Sequence, residues 1–385
     1  MNDLKKKKIV FYETYYSSFT GAQQSLYWLL KGLNKDKFEP IVITPGKGEL
    51  INKAKKIGIK AKVIKYSSNL NVFDGKIKGY SFLKKLFVLI SLIRYNISFL
   101  KYLIKEKPDI LYCNNLRGVL TIGILAKLLT IPLLWYVRID TSNGIFDKIG
   151  TRLADKIITI SEGVRDIFDE KYLKKKAYKF ETIYTGFNLK EYDDNKGAKF
   201  KFDEEIIIGT AGSITLRKGY DDFVDMAREL NRVAKNIKFV IAGEPPRNSV
   251  TYYNKLKRKI KNYNLEKKIK FVGWVDDITD FLSSIDLFVL CSKNEGLPRV
   301  VIEAMAMAKP VVATNAGGTN EAIDNGKTGF IVDKGNKNEL VAKIEYMIDN
   351  KEEMKEMGKE GRRKVENDFS LKTYISKFEN LLDSI

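Results

Sequence analysis

Short apolar runs alternate with longer segments of helical periodicity along most of the chain. Bounded apolar runs of this kind predict buried strands, and apolar residues spaced three to four apart predict helices. In the first half the predicted strands are 8–12, 40–44, 61–66, 110–113, 133–139, 156–160 and 182–184, and the helices are 23–33, 50–57, 82–105 and 118–129. In the second half the strands are 205–209, 238–242, 269–272, 287–290, 310–313 and 329–332, and the helices are 220–234, 252–263, 279–284, 299–308, 339–349 and 351–367. This alternation predicts an α/β protein whose parallel sheets are covered on both faces.

The two series are separated by a polar stretch at 188–203, which predicts an interdomain linker. A chain of 385 residues also exceeds the roughly 250–300 at which one core usually splits. We therefore predict two doubly wound, Rossmann-like domains, 1–190 and 204–369, facing a central cleft. Ligands of such sheets bind at the carboxyl ends of the strands. The last segment, 370–385, has the pattern of an amphipathic helix.

Histidine is absent from the sequence, which excludes Ser-His-Asp triads, histidine general bases and histidine-ligated zinc. The two cysteines, Cys113 and Cys291, end separate apolar runs, which is typical of buried thiols in a reducing compartment. The carboxylates are not spaced as a metal site. We therefore predict no metal and no disulfide.

The net charge of +20 is concentrated at the start of the chain, where residues 1–110 contain 22 Lys/Arg and 8 Asp/Glu, a balance of +14. Two interpretations stay open: solvated lysine-rich faces, or a surface that binds anionic lipid. Nucleic acid is not expected, because no nucleic-acid-binding motif accompanies the charge. For helix 82–105 a core-facing position with solvated lysines is favoured over a membrane surface.

The N-terminus lacks the pattern of a signal peptide, and the apolar run 86–93 is shorter than the roughly 20 residues that a transmembrane helix needs. We therefore expect a cytoplasmic protein. If the basic surface binds lipid, we expect the protein to attach peripherally to the inner face of the cytoplasmic membrane.

Two glutamates, Glu295 and Glu303, are eight positions apart around a predicted strand–loop–helix junction. Glu295 lies in the loop after the strand, and Glu303 lies one turn into the helix. Pro298 is predicted at the first helical position, where its missing N–H costs nothing. The free amides of the helix start favour a phosphate. One carboxylate for sugar hydroxyls, one for ribose hydroxyls and an anion site between them would form a nucleotide-sugar pocket.

The segment 205–219 combines a strand, a turn containing Gly212 and two adjacent cations, Arg217 and Lys218, before a helix. Positive charge beside a helix N-terminus is unfavourable unless an anion binds there. Arginine can bind phosphate oxygens in a bidentate manner, and lysine adds a point charge. The pattern therefore predicts a phosphate-binding element.

The Glu-x7-Glu spacing resembles the motif of glycosyltransferase family 4, which comprises retaining enzymes with the GT-B fold. The surrounding sequence is similar too, at 294–298, 303–306, 309–321 and 329–333. The resemblance implies that the C-terminal helix crosses back to the N-terminal domain. It also implies transfer of a sugar from a nucleotide-sugar donor, a UDP- or GDP-sugar, to a glycan or lipid-linked acceptor, without a further cofactor. Bacterial cell-surface polysaccharide or glycolipid synthesis is the expected context.

The resemblance also implies roles for individual residues. Arg217 and Lys218 would neutralise the donor diphosphate, and Glu295 would orient the transferred sugar. Arg138 stands where family members often carry histidine, and it can donate to a sugar hydroxyl or phosphate. The implied donor-binding residues are Gly21, Ser213, Gly273, Gly296, Leu297, Pro298 and Glu303, and the implied acceptor-side residues are Tyr15, Tyr16 and Asp140.

Two other classes of protein share some of these features. A dinucleotide-dependent oxidoreductase would also be doubly wound, but no G-x-G-x-x-G follows any predicted strand. A non-catalytic sugar-nucleotide or polyanion-binding protein of the same fold is the alternative that stays open.

Overall fold

The computed structural model describes residues 5–17, 19–67, 70, 79–139, 141–192, 197, 199–203, 205–233 and 236–385. It divides into two compact units. The first unit consists of Met1–Ile160, Val164–Gly186 and Tyr374–Ile385. The second consists of Ser161–Gly163 and Phe187–Thr373.

Over these described residues the first unit contains a seven-stranded sheet with the order β3-β2-β1-β4-β5-β6-β7. Its strands are β1 Lys7–Tyr12, β2 Phe38–Thr44, β3 Lys60–Val63, β4 Ile110–Cys113, β5 Leu133–Val137, β6 Lys156–Thr159 and β7 Phe180–Thr182. All neighbouring pairs are parallel. The central strands β4 and β5 are buried throughout, which is why they appear as unbroken apolar runs in the sequence.

The helices of the first unit are α1 Gly21–Gly32, α2 Glu49–Lys56, α3 Phe82–Glu106, α4 Leu116–Leu128, α5 Ile145–Leu153 and α6 Glu170–Lys175. Two of them, α5 and α6, were not predicted. In α5, Gly150 weakens the helical pattern, but a side chain there would collide with Leu116 and Trp135, so close packing requires the glycine. The six residues of α6 are too few to show a period.

Helix α3 differs from the expected core-facing helix over its first half. Its buried residues are Tyr95, Phe99 and Leu103, all in the second half. From Phe82 to Ile90, Val88 alone is partly covered and the other side chains are exposed. The core-facing prediction is therefore wrong for these first turns, because periodicity identifies the apolar face of a helix but not what that face packs against.

The second unit has a six-stranded sheet, within the described part of the chain, in the order β10-β9-β8-β11-β12-β13. The strands are β8 Ile206–Ala211, β9 Ile237–Ala242, β10 Ile269–Gly273, β11 Leu287–Leu290, β12 Val311–Thr314 and β13 Phe330–Val332. The helices are α7 Tyr220–Val233, α8 Val250–Asn262, α9 Ile278–Leu282, α10 Arg299–Ala306, α11 Thr319–Ala322, α12 Lys337–Asp349 and α13 Lys351–Asp368. Each neighbouring pair of strands is parallel.

The last helix, α14, spans Leu371–Asp383 and begins in the second unit, whereas Tyr374–Ile385 belong to the first. Its buried side chains include Phe378, whose ring lies 5.6 Å from that of Tyr112. Lys7 Nζ donates to the Leu382 carbonyl at 2.9 Å. The predicted return of the C-terminal helix to the N-terminal domain is confirmed.

Candidate functional site

In the second sheet β8 and β11 are neighbours, and the connections that leave their carboxyl ends turn in opposite directions. Such a topological switch point opens a crevice in doubly wound sheets. The loop 212–219 follows β8, and the loop 291–298 follows β11. These are the two segments in which the sequence predicted phosphate and sugar contacts.

Glu295 lies at the centre of this crevice and is 6% exposed. Its Oε1 accepts a hydrogen bond from Lys218 Nζ at 2.6 Å and another from Ser292 Oγ at 2.6 Å. Arg217 Nη1 lies 3.4 Å from Oε2. Buried carboxylates are strongly unfavourable unless paired and hydrogen-bonded, and this one is both.

Close backbone contacts hold the Glu295 loop on both sides. Lys293 N donates to the Arg217 carbonyl at 2.8 Å, and Arg217 Nη1 donates to the Asn294 carbonyl at 2.5 Å. On the other side Gly318 N donates to the Glu295 carbonyl at 3.3 Å. The loop is therefore fixed before any ligand binds.

Two glycines make these close contacts possible. Gly219 has φ 68°, and a Cβ there would lie 1.8 Å from the Cys291 carbonyl oxygen. Gly317 has φ 52°, and a Cβ would lie 1.6 Å from the Glu295 carbonyl oxygen. Any side chain at either position would displace the Glu295 loop.

Arg217 and Lys218 have an anionic partner within the protein. The loop after β11 brings the Glu295 carboxylate to Lys218, which precedes it by 77 residues, and to the adjacent Arg217. The two cations differ in accessibility, since the side chain of Lys218 is 13% exposed and that of Arg217 is 50% exposed. Two positive charges against one carboxylate leave the cluster with an excess of one positive charge.

Glu303 lies in α10, and its Oε1 is contacted by two donors. Arg299 Nη2, one helical turn earlier, lies 3.3 Å away, and Tyr192 Oη donates at 3.3 Å. Burial and the nearby Glu303 carboxylate raise the pKa of the Tyr192 hydroxyl, which keeps it a proton donor. Tyr192 was not predicted as a site residue, and no local signal in the sequence indicates a contact across 111 positions.

The other predicted donor-side residues of the second unit lie around the same crevice. Gly296, Leu297 and Pro298 complete the loop, with Leu297 buried. Pro298 is the N-cap of α10 rather than its first helical residue, because helical geometry begins at Arg299. Ser213 follows Gly212 on the opposite loop, and Gly273 ends β10 with φ 74°. Their roles stay predictions.

Two of the predicted residues of the first unit, Tyr15 and Arg138, lie near a different buried carboxylate, Glu13, directly after β1. Its Oε1 accepts from Tyr15 N at 2.7 Å and from Asn115 Nδ2 at 2.8 Å, and its Oε2 accepts from Asn114 Nδ2. Burial raises the pKa of Glu13, although these hydrogen bonds and the charge of Arg138 oppose the shift. Glu13 fixes the loop that carries Tyr15 and was not predicted as a site residue.

Arg138 points into the interior of the first unit. Its Nε donates to Asn114 Oδ1 at 3.1 Å, and its guanidinium stacks 3.9 Å from the centre of the Tyr136 ring. Its two terminal nitrogens are buried and make no hydrogen bond to any residue that the structure describes. In this arrangement Arg138 supports the Asn114–Glu13 cluster, and a contact with substrate stays a prediction.

Among the acceptor-side residues, Tyr15 is 42% exposed and Tyr16 packs beside Gly46. Gly21 is the first residue of α1, whose N-cap is Thr20. Asp140 lies outside the described residues. Throughout the described ranges no three Cys, Asp or Glu side chains come together as a metal-binding group.

Two doubly wound units, one with paired cations at its switch point, define an α/β protein of the architecture that often binds nucleotides. Comparison with known protein families identifies the class more narrowly. The family model for "Glycosyltransferase Family 4" matches residues 19–191, and that for "Glycosyl transferases group 1" matches residues 191–364. The chain belongs to the group 1, family 4 glycosyltransferases, as the Glu-x7-Glu pattern predicted.

Named relatives agree with this assignment. The capsular polysaccharide biosynthesis glycosyltransferase CapM of Staphylococcus aureus is 27% identical over 337 residues, which cover 82% of this chain and 87% of CapM. The N-acetyl-alpha-D-glucosaminyl L-malate synthase of Bacillus anthracis is 23% identical, with 63% of each chain covered. The protein is therefore a glycosyltransferase with relatives in polysaccharide and glycan biosynthesis.

Solved structures confirm the fold. The structure of Anabaena HepE in complex with UDP superposes with a TM-score of 0.81 at 19% identity, covering 98% of this chain and all of that one. The sucrose-phosphate synthase of Thermosynechococcus elongatus gives a TM-score of 0.78 at 18% identity, covering 98% and 99%. The predicted GT-B architecture is confirmed by these neighbours.

Proposed function

We propose that this protein transfers a sugar, with retention of anomeric configuration, from a UDP- or GDP-sugar to a glycan or lipid-linked acceptor. The expected setting is cytoplasmic synthesis of a bacterial cell-surface polysaccharide or glycolipid. The observation that carries the proposal is the buried Glu295 carboxylate, held by two cations and a hydroxyl at the switch point of the second sheet.

Donor binding follows from the charge of this cluster. A diphosphate carries more negative charge than one carboxylate, so it can displace Glu295 as the main partner of Arg217 and Lys218. Arg217, with half of its side chain exposed, meets the diphosphate first, and Lys218 contacts it more deeply. Glu303 then binds the ribose hydroxyls, and the released Glu295 oxygens accept hydrogen bonds from the transferred sugar.

The reaction breaks the bond between the sugar C1 and the diphosphate oxygen and forms a bond between C1 and the acceptor oxygen on the same face. The bonding electrons stay with the diphosphate, whose growing charge the two cations stabilise. The acceptor hydroxyl gives its proton to a diphosphate oxygen. This scheme requires no protein base, which is consistent with a sequence that has no histidine.

The first unit would provide the acceptor side through the loop after β1. Glu13 and the two asparagines fix this loop, and Tyr15 presents an exposed ring that can stack on a sugar face. The names of the similar proteins support this substrate class, since HepE was crystallised with UDP-glucose and CapM is named for capsular polysaccharide biosynthesis.

A thermal-shift screen across UDP-, GDP- and ADP-sugars tests donor binding, because a bound ligand raises the melting temperature by mass action. Turnover of the donor that binds, followed by NMR of the anomeric proton in the product, then tests transfer and retention. Binding without turnover on any glycan or lipid-linked acceptor would favour the non-catalytic sugar-nucleotide-binding alternative. An inverted product would overturn the same-face mechanism.

We further propose that transfer requires no divalent cation, because Arg217 and Lys218 supply the two positive charges that a metal ion would bring. Turnover should continue at the parental rate in excess EDTA. Complete loss of turnover in EDTA, with recovery on adding magnesium or manganese, would contradict this arrangement.

A further inference from the structure

We propose that the first half of α3 binds an anionic membrane surface by inserting its exposed apolar side chains below the lipid headgroups. The proposal concerns a surface of the first unit and is independent of the sugar-transfer chemistry in the second.

The side chains at the start of α3 are too apolar to be an ordinary solvated surface. Seven large apolar side chains in the first turns of α3 are each more than one third exposed: Phe82, Leu83, Leu86, Phe87, Leu89, Ile90 and Ile93. Isolated exposed apolar residues are normal on protein surfaces, but a contiguous patch of large ones marks an interaction site.

These side chains form one continuous stripe. At 100° per residue the seven positions fall within an arc of about 160° on the helix. Ile97 and Ile104, also exposed, continue the same stripe toward the C-terminus. Tyr95, Phe99 and Leu103 lie on the opposite side and are buried in the first unit. The stripe therefore faces away from the protein core.

The charges beside the stripe suit a negatively charged partner. Arg94, Lys101 and Lys105 are exposed along one of its edges. The acidic residue of α3, Glu106, is already paired with Lys60 at 2.5 Å and lies 3.8 Å from Lys8. Anionic headgroups attract such basic residues, and the +14 balance of residues 1–110 adds to that attraction.

A position of α3 on the membrane surface fits the structure better than a position in which α3 crosses the membrane. By length and composition alone, Phe82–Glu106 is the one helix of the described residues that is long and apolar enough to span a bilayer. However, its second half is packed into the first unit from Tyr95 onward. The free part, residues 82–94, is about 20 Å long, whereas the hydrocarbon core is about 30 Å thick.

A second copy of this chain is a less suitable partner for the same stripe. A symmetric dimer would place the stripe against itself and bring the basic edges of two helices together. Like charges across an interface oppose association. Anionic lipid instead covers the apolar side chains and neutralises the basic ones.

Co-sedimentation of the full chain with vesicles tests the proposal. We expect binding to vesicles of phosphatidylglycerol and phosphatidylcholine, little binding to phosphatidylcholine alone, and weaker binding as salt is raised. L83Q/F87Q removes two apolar side chains that are 66% and 60% exposed, and it should lower the partition coefficient at least about tenfold. The matched control is I124Q/L128Q in α4, with the same spacing and exposures of 62% and 71%, and it should bind like the parent.

A second pair of variants tests the charges. R94Q/K101Q removes two basic residues beside the stripe, whereas K55Q/K56Q removes two exposed basic residues from α2. The first pair should weaken binding to the anionic vesicles more than the second, although both remove the same net charge. Equal weakening by the two pairs would mean that net charge alone attracts the protein, and it would overturn the role of α3.

Other outcomes would also overturn the proposal. Absence of binding to either vesicle, with a concentration-dependent dimer that L83Q/F87Q dissociates in sedimentation velocity, would identify a second copy as the partner. Equal binding to neutral and anionic vesicles would mean that the basic residues beside the stripe do not contribute to vesicle binding. Retention on vesicles through alkaline carbonate extraction would indicate a spanning helix.

Discussion

The two sheets place the same kind of residue at the same topological position, with opposite chemical surroundings. Each has a switch point between its first and fourth strands, and each holds a buried glutamate there, after the first strand in the first unit and after the fourth strand in the second. Glu13 in the first unit is bonded by side-chain amides and a backbone N–H. Glu295 in the second is bonded by an ammonium, a guanidinium and a hydroxyl.

The difference shows which carboxylate can exchange partners. Asn114 and Asn115 are neutral donors that cannot balance a diphosphate, so the Glu13 cluster is suited to fixing a loop. Arg217 and Lys218 carry two charges and can bind a phosphate in place of the carboxylate. The comparison therefore favours the second unit as the donor side and the first as the side for an uncharged sugar.

The largest expected effect, and the strongest test of this comparison, is that of Lys218→Ala. Loss of a cation from the leaving diphosphate should lower kcat about 10²–10³-fold. The ion pair with Glu295 also changes the expected stability: a buried carboxylate left with fewer partners should cost about 1–3 kcal/mol and lower the melting temperature. Without this ion pair, removing a positive charge beside a helix N-terminus would leave stability unharmed.

Lys259→Ala is a matched control for Lys218→Ala. Lys259 pairs with Asp225 at 2.6 Å in the same unit, away from the switch point. This variant should lose stability and keep its kcat when turnover is measured well below its melting temperature. Near-parental kcat in Lys218→Ala, and again in Arg217→Ala, would contradict the proposal that these two residues bind the donor diphosphate.

A second prediction separates the two carboxylates of the second unit. Glu303→Ala should raise KM and weaken binding of the bare nucleoside diphosphate, because ribose contacts are similar in the ground and transition states. Glu295→Ala should act chiefly on kcat, because its carboxylate is proposed to contact the reacting sugar. Isothermal titration with UDP and steady-state kinetics measure both effects. Unchanged UDP binding in Glu303→Ala, or its loss in Glu295→Ala, would reverse the two roles.

The third prediction concerns the first unit and depends on pH. A folded-state pKa of Glu13 that is raised by burial means that the native state holds this proton more tightly than the unfolded chain. Stability associated with Glu13 is therefore present below the unfolded pKa and decreases as pH rises through the folded pKa. Glu13→Gln abolishes this titration, so the melting temperature of the parent relative to the variant should increase as pH falls from 7 toward 4.5.

Glu170→Gln is the control for this measurement, since Glu170 is an exposed glutamate of the same unit. The parent and Glu170→Gln are compared over the same pH range as the reference for an exposed side chain. If the pH dependence of Glu13→Gln did not exceed this reference, burial would not have raised the pKa of Glu13.

Much of this architecture follows from the sequence because apolar runs and glycines act locally. Strands β4 and β11 have the predicted bounds, since both are buried and abruptly bordered by polar residues. The loop 291–298 was expected directly after β11, and it lies there because the end of that buried strand is well marked in the sequence. Helix α5 was missed because it packs closely around a glycine that weakens its periodicity, and helix α6 was missed because six residues are too few to show a period.

The partners of the charged residues were much harder to predict. The pairing of Lys218 with Glu295 depends on β8 and β11 being neighbours in the sheet, although they are distant in the chain. The contact between Tyr192 and Glu303 likewise arises from tertiary structure alone. Spacing identifies residues with suitable chemistry, but only the folded chain shows which of them already neutralise each other.

The smallest expected effect is that of Tyr192 on UDP binding, through its hydrogen bond to Glu303. The Tyr192 hydroxyl donates to the Glu303 oxygen that the ribose hydroxyls are proposed to use, so the two donors compete. Tyr192→Phe removes one hydrogen bond of about 0.5–1.5 kcal/mol and should tighten UDP binding by about two- to tenfold. Tyr172→Phe removes a tyrosine hydrogen bond from the first unit, where the hydroxyl donates to the Thr151 carbonyl at 3.0 Å, and should leave UDP binding unchanged. Isothermal titration of both variants compares the effects directly. Weaker binding in Tyr192→Phe would mean that the hydroxyl holds Glu303 in its binding position instead of competing with the ribose.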